Sequence, residues 1–192
     1  MTLPERPHGG FRAIYADPAW RFALYSDRGD AKSAQAHYEC VSLEEMRTLP
    51  VERLAAGNSA LFMWATFPML PEALDLMGAW GFAYKTGGAW AKRSSTGRKW
   101  AFGTGYIFRS AAELLLVGTR GEPKWLSRSE RNLWALPVRE HSRKPDELYG
   151  VIERLTPGPR LELFARTQRP GWVAWGNETG KFQQVADPGD VI

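Results

Sequence analysis

The sequence predicts an α/β fold: a largely parallel sheet with helices on both faces. Short apolar runs alternate with amphipathic stretches of helical period along the chain. Chemically able residues, Asp17, Arg166 and Asn177, each fall at or just after the end of an apolar run, where parallel sheets bind ligands. The 192 residues, 44% hydrophobic and 24% charged, suit a single domain with a real core rather than a disordered chain. One domain over 1–192 is expected, its core about 11–180 and a tail over 181–192.

Ala13 to Ala16 reads as a buried strand ending at Asp17. Residues 25–41, rich in Gly, Asp, Ser and Lys, form a long loop of the kind that is functional or mobile in small domains. Ser42 with Glu45 three residues on is a capping box, so a helix starts in "SLEEMRTLPVERLA". Ala60 to Ala65 is a second strand. "MLPEALDLMGAWGF" is a helix with Leu70, Leu74 and Met77 on one face. "FAYKTGGAWAK" and Glu113 to Gly121 give two more strands. In "KPDELYGVIERLTPGPR" Pro145 suits the N1 position, Asp146 and Glu147 suit the positive end of the helix dipole, and Pro157-Gly158-Pro159 ends the helix. "RLELFAR" and "GWVAWGNE" are the last strands, which brings segments 17–20 and 162–178 to one crevice.

Several classes are excluded or disfavoured. Cys40 is the sole cysteine, so no intramolecular disulfide exists and a reducing cytoplasm is the expected setting. His8, His37 and His141 lie far apart, without metal-ligand spacing; no metal is expected. "MTLPERPHGG" lacks the apolar core of a secretory signal, and no run approaches a membrane span. The "NET" sequon at Asn177 reads as chance. A nicotinamide-dependent reductase would need a GxGxxG turn; "GTGYIF" at Gly103 lacks the third glycine. The net charge is +4, and from Lys85 to Ala112 there are six basic residues and no acidic one. Such a stretch suits nucleic acid, or else is a solvated loop.

The chemistry concentrates at "YADPAWRF". Pro18 forces a turn and leaves carbonyls free to accept, Asp17 adds a carboxylate, and Trp20 adds a stacking plane. Two acceptors and a plane suit a planar group bearing an amine, such as an adenine turned out of its strand. The rival is a plain Asp-Pro turn with a core tryptophan; four residues alone do not decide.

"YADPAWRF" resembles the Asp-Pro-Pro-Trp motif of the N6-adenine methyltransferases related to the messenger-RNA adenosine methyltransferase. "HYECVSLEEM", "ALFMWAT", "AWAKRSSTGRKWAFGTGYIFRSAAELLLVGTRG", "REHSRKPDELYGVIERLTPGPRLELFAR" and "GWVAWGNE" resemble further family segments in the same order, from about Ala13 to Glu178. The resemblance implies a Rossmann-like methyltransferase sheet in permuted order, catalytic strand first, and S-adenosylmethionine as cofactor. Asp17 and the Pro18 carbonyl then hold the two N–H groups of the amine, so that its lone pair faces the donor. A carboxylate of pKa about 3.9 is too weak to deprotonate a neutral aromatic amine, so Asp17 orients rather than abstracts. Trp20 stacks on the base. Tyr38 packs against it or anchors its loop.

On the cofactor side the resemblance implies Lys144 at the methionine carboxylate, with Asp17 close by, and Arg166, Asn177 and Glu178 around the ribose hydroxyls. Glu178 stands where relatives often carry glutamine. Glu162 either faces the cofactor or points away. Phe164 is an adenosine wall or core packing, and His141 is cofactor-side or structural. Ala19 replaces the family's second proline, which loosens the turn. Gln168 and Arg169 depart from the messenger-RNA enzyme's motif. Lys92, Arg93, Arg98, Lys99 and Arg109, interleaved with Trp90, Trp100, Phe102, Tyr106 and Phe108, are the expected polynucleotide grip. The compact chain resembles bacterial and phage members, which favours DNA over RNA. RNA methylation, or a catalytically silent nucleic-acid-binding subunit, is the alternative; a homodimer or a homologous partner subunit is compatible.

Overall fold

The computed structural model describes residues 2–18, 20, 42–140 and 142–182. Seven strands form one sheet: β1 (Phe11–Ala16), β2 (Ala55–Ala65), β3 (Ala83–Arg93), β4 (Ala112–Arg120), β5 (Leu133–Pro137), β6 (Arg160–Leu163) and β7 (Trp172–Trp175). Their order is β5-β3-β4-β2-β1-β6-β7. β1 pairs in parallel with β2 and β6, β6 with β7, and β3 with β5, whereas β4 runs antiparallel to both its neighbours. The carboxyl ends of the other six strands therefore share one edge of the sheet with the amino end of β4. That edge carries the site.

Side chains alternate across the sheet as the pleat requires. Ile14 and Ala16 of β1, with Leu61 and Met63 of β2, face a core closed by Met46 of α1 (Leu43–Thr48), Val51 and Leu54 of α2 (Val51–Leu54), and Ala73, Leu76 and Met77 of α3 (Leu70–Ala79). Tyr15, Phe62 and Trp64 face the opposite core, closed by Leu148, Tyr149, Val151 and Ile152 of α4 (Glu147–Leu155). Helices thus cover both faces, as the alternating pattern predicts. Each large side chain buried this way contributes on the order of 1.5–3 kcal/mol.

The capping box forms: Ser42 Oγ accepts from Glu45 N, and Glu45 Oε2 accepts from Ser42 N at 2.8 Å. Four local expectations are corrected. Pro50 interrupts the helix of 42–55, giving two short helices instead of one, because proline lacks the amide that would continue it. Leu74 of α3 is 37% exposed, and Ala73, Leu76 and Met77 form the buried stripe instead. Pro145 precedes the N-cap Asp146 rather than occupying N1. β5 is additional to the expected strands. It is a short, half-exposed edge strand ending in proline, so it lacks a continuous apolar run.

Candidate functional site

Asp17 follows β1 directly. Lys92 lies near the end of β3, Glu113 near the start of β4, and Lys144 between β5 and α4. The sheet brings these four to one edge and links them by charge. Lys144 Nζ lies 2.8 Å from Asp17 Oδ1 and 3.4 Å from Glu113 Oε2, and Lys92 Nζ lies 2.5 Å from Glu113 Oε1. All four side chains are less than a fifth exposed. Two cations and two anions in alternation balance, which is the condition for keeping charges away from water. Burial alone would lower the Lys144 pKa, but the Asp17 and Glu113 carboxylates outweigh it and hold it above the ordinary lysine range. Burial would raise the Glu113 carboxyl, but Lys144 and Lys92 hold it below the ordinary range.

Aromatic rings line the floor. Trp64 Nε1 donates to the Tyr15 hydroxyl at 2.5 Å, Trp64 meets Trp90 edge-on at 6.1 Å, and the Lys144 ammonium lies 5.8 Å from the Trp64 ring. Beside this floor is a cavity of about 30 Å³ lined by Tyr15, Asp17, Lys144, Glu162, Phe164 and Arg166, among others. Glu162 faces it. The Tyr149 hydroxyl donates to Glu162 Oε1 at 2.8 Å. Burial, with Asp17 and Asp146 adding to it against the Tyr149 bond, pushes Glu162 up to about 8. It is largely protonated at neutral pH.

Phe164 and Ser142, the two non-glycine residues with positive φ among those described, both line this cavity, at +61° and +62°. Such backbone costs on the order of 1–3 kcal/mol and collects at ligand sites. Phe164 lies against Trp80, ring centroids 6.4 Å apart, and meets Trp175 edge-on, so it is both wall and packing. Arg166 Nε lies 3.7 Å from Glu178 Oε2 on the loop after β7. Asn177 is exposed and outside the cavity lining. A wider hollow of about 670 Å³ lies between β5 and α4, but none of the expected site residues lines it.

The geometry differs from expectation at several residues. Trp20 is 5% exposed, sits in the α1–α3 core and donates its indole N–H to the Trp64 carbonyl at 3.2 Å; it anchors the turn instead of lining the cavity. The Pro18 carbonyl accepts from Trp20 N at 2.9 Å, which leaves one lone pair for another donor. Lys92 is turned inward onto Glu113. Arg93 donates to the Gly97 and Arg98 carbonyls and stacks 4.4 Å from the Trp100 ring, bracing its own loop. Arg98, Lys99 and Arg109 stay exposed. Tyr38 and His141 lie outside the described residues. Sequence reasoning missed Glu113, Tyr15 and Tyr149. Glu113 had a signal: it is the acid that ends the acid-free run 85–112.

Among the described residues no group of three or more His, Cys, Asp or Glu could hold a metal ion, and no helix is long and apolar enough to cross a membrane. The MT-A70 family model matches residues 11–178. The MT-A70-like N(6)-adenosine-methyltransferase of Drosophila melanogaster is 33% identical over 185 residues, covering 94% of this chain and 28% of that protein. The N(6)-adenosine-methyltransferase catalytic subunit METTL3 of Homo sapiens is 31% identical over 189 residues, covering 96% and 30%. The type II methyltransferase M.MunI of Mycoplasma sp is 30% identical over 197 residues, covering 92% and 81%. The chain spans less than a third of the length of most of these relatives and most of the length of M.MunI. The matched span begins at the first strand, ends at Glu178 and takes in all four members of the ion-paired chain, so this protein belongs to the MT-A70 family.

Proposed function

We propose that this chain acts as one methyltransferase domain that transfers a methyl group from S-adenosylmethionine to the N6 amine of adenine in a polynucleotide, with DNA favoured. The observation that carries the reading is the 2.8 Å contact between Lys144 and Asp17 on the ligand edge of the sheet. It sets a cation and a carboxylate side by side beside Glu162, Phe164 and Arg166. That donor set fits the zwitterionic and nucleoside parts of the cofactor: Lys144 for the carboxylate, Asp17 for the ammonium, Phe164 for the ring and Arg166 for the hydroxyls, with Glu178 reaching the site only through Arg166 and Asn177 outside the lining. A protonated Glu162 adds no second negative charge beside Asp17.

When bound, S-adenosylmethionine supplies a methyl group activated by a sulfonium. The chain's own work is orientation. The amine lone pair is delocalised into the ring, so Asp17 and the remaining lone pair of the Pro18 carbonyl hold its two N–H groups and turn the lone pair outward. The cavity of about 30 Å³ admits little more than water, whereas a nucleoside-sized ligand takes several hundred Å³. Ligand entry therefore requires the lining side chains to give way. The DNA preference is supported by the 30% identity to the type II methyltransferase M.MunI.

The test incubates the protein with labelled S-adenosylmethionine and DNA or RNA oligonucleotides, then digests the product to nucleosides. N6-methyl-deoxyadenosine is expected; N6-methyladenosine moves the reading to RNA, and no labelled base points to a silent subunit. Asp17→Ala lowers transfer by about a hundred- to a thousandfold, as loss of one preorganised polar group does, and keeps cofactor affinity within about tenfold. Unchanged turnover in that variant refutes the role given to Asp17.

A further inference from the structure

We propose that the turn 103–109, carried on the ligand edge between β3 and β4, is an intercalating wedge. In this reading Ile107 and Phe108 enter a nucleic-acid duplex and fill the stacking position that the target adenine leaves when it turns out toward Asp17. The proposal rests on the polynucleotide reading above.

The side chains come first. Ile107 and Phe108 are 89% and 86% exposed, with Trp100 at 59% and Phe102 at 77% on the same loop. Scattered exposed apolar residues need no explanation, but five of this size on one short loop, with Tyr106 at 55%, mark an interaction surface.

The loop is also built rather than slack. Ala101 N donates to the Lys92 carbonyl and Lys92 N to the Ala111 carbonyl, each at 2.8 Å, and Gly103 N donates to the Ser110 carbonyl at 3.0 Å. At Gly105 a Cβ would lie 2.1 Å from the Phe108 carbonyl oxygen, so only glycine lets the turn close this tightly. Behind the tip, the Arg93 guanidinium lies 4.4 Å from the Trp100 ring and that of Arg109 lies 5.0 Å from the Phe102 ring. Those two rings carry cations, and Ile107 and Phe108 are left as the apolar tip.

Charge selects the occupant. Residues 94–112 hold Arg98, Lys99 and Arg109 and no acid, which suits a polyanion. A second copy would set like-charged loops against each other if it docked here about a two-fold axis. A grip on single strands by ring stacking leaves Ile107 without a role, since isoleucine has no π face. Insertion between base steps uses isoleucine and phenylalanine alike. Position agrees: the loop leaves the sheet just after Lys92 and returns just before Glu113, and that pair is joined to Asp17 through Lys144. An enzyme that turns a base out of a duplex must offset lost stacking, and an apolar residue in the gap does so.

The test compares the wild-type protein, the Ile107→Ser/Phe108→Ser double variant and Phe108→Trp. The substrates are a duplex carrying the adenine mapped in the labelling experiment, the same strand alone, and that duplex with an abasic site opposite the target. The double variant is expected to lose at least about tenfold in kcat/KM on the duplex, to stay within about twofold on the single strand, and to recover on the abasic duplex, where turning the base out is easier. Phe108→Trp keeps duplex activity. Equal losses on duplex and single strand overturn the wedge. So does a wild-type enzyme active on single strands only, or a drop in solution mass by light scattering in the double variant, which assigns the tip to a second copy. A wild-type protein inactive on every substrate overturns the methyltransferase reading and the wedge with it.

Discussion

The two ends of the β3–β4 hairpin use the same residue types in opposite ways. At the inner end, Lys92 is paired with Glu113, and Glu113 with Lys144, with little exposure on any of them. At the outer end, Arg98, Lys99 and Arg109 stand in solvent without an acid on their loop. A few residues of chain separate the two settings. The inner cations are held as part of a balanced set, where removal of one member leaves another unpaired. Of the outer cations, Arg98 and Lys99 make no ion pair among the described residues, and Arg109 rests only on the exposed Phe102 ring. Inner substitutions should therefore act on stability and on the site, and outer ones on binding at low salt.

The largest effect is expected at Glu113. Glu113→Gln leaves Lys92 without its carboxylate and Lys144 with Asp17 alone, and it should cost about 3 kcal/mol of folding stability, as breaking a buried pair does. Urea unfolding measures this. Adding Lys92→Met removes the orphaned cation, so the double variant should recover part of the loss. If the two substitutions simply add, the inner end is no more coupled than the outer one, and the contrast fails.

How much of this was legible follows from the same contrast. The strand ends and Asp17, Lys144, Glu162 and Arg166 follow from apolar runs, turn residues and a family likeness, because each is local or lies in a quoted segment. Lys92 and Arg93 were grouped with the outer cations because charge was counted along the chain, whereas the strand ends at Arg93 and divides them from Arg98. Trp20 was expected to face the base. Its indole finds the Trp64 carbonyl across 44 positions of sequence, which no local pattern reveals. No pattern along the helix singles out Tyr149; only the pairing of β1 with β6 and the packing of α4 on that face give its hydroxyl the Glu162 carboxyl.

A second inner residue sharpens the comparison through pH. Glu162 is pushed up to about 8 in the folded protein, chiefly by burial, whereas in the unfolded chain it ionises near 4.3. Between those values the folded state binds more protons than the unfolded one, so this group's contribution is full below about pH 4.3 and is lost as pH rises through about 8. Glu162→Gln keeps an acceptor for the Tyr149 hydroxyl and cannot ionise. It should be more stable than the wild type at pH 8.5, with the gap narrowing as pH falls toward 5. Urea melts at three pH values decide; a gap independent of pH removes Glu162 from the pocket's proton balance.

The smallest effect is expected at the outer end, and it separates the two settings most cleanly. Arg98→Gln/Lys99→Gln removes two exposed cations that make no ion pair among the described residues. Each phosphate contact releases counterions, so the slope of log affinity against log salt should flatten by about 2 for duplex DNA. That amounts to about tenfold in affinity, about 1.4 kcal/mol, across a fourfold change in salt. Folding stability should stay within about 0.5 kcal/mol, as for surface substitutions away from packed features. Lys92→Gln should do the reverse, lowering stability and leaving the salt slope unchanged, because its charge is already matched by Glu113. Titrations of a fluorescent duplex at four salt concentrations measure both variants. Equal slopes for Arg98→Gln/Lys99→Gln and wild type would mean that phosphates do not reach this loop, and the outer cations would then serve solubility alone.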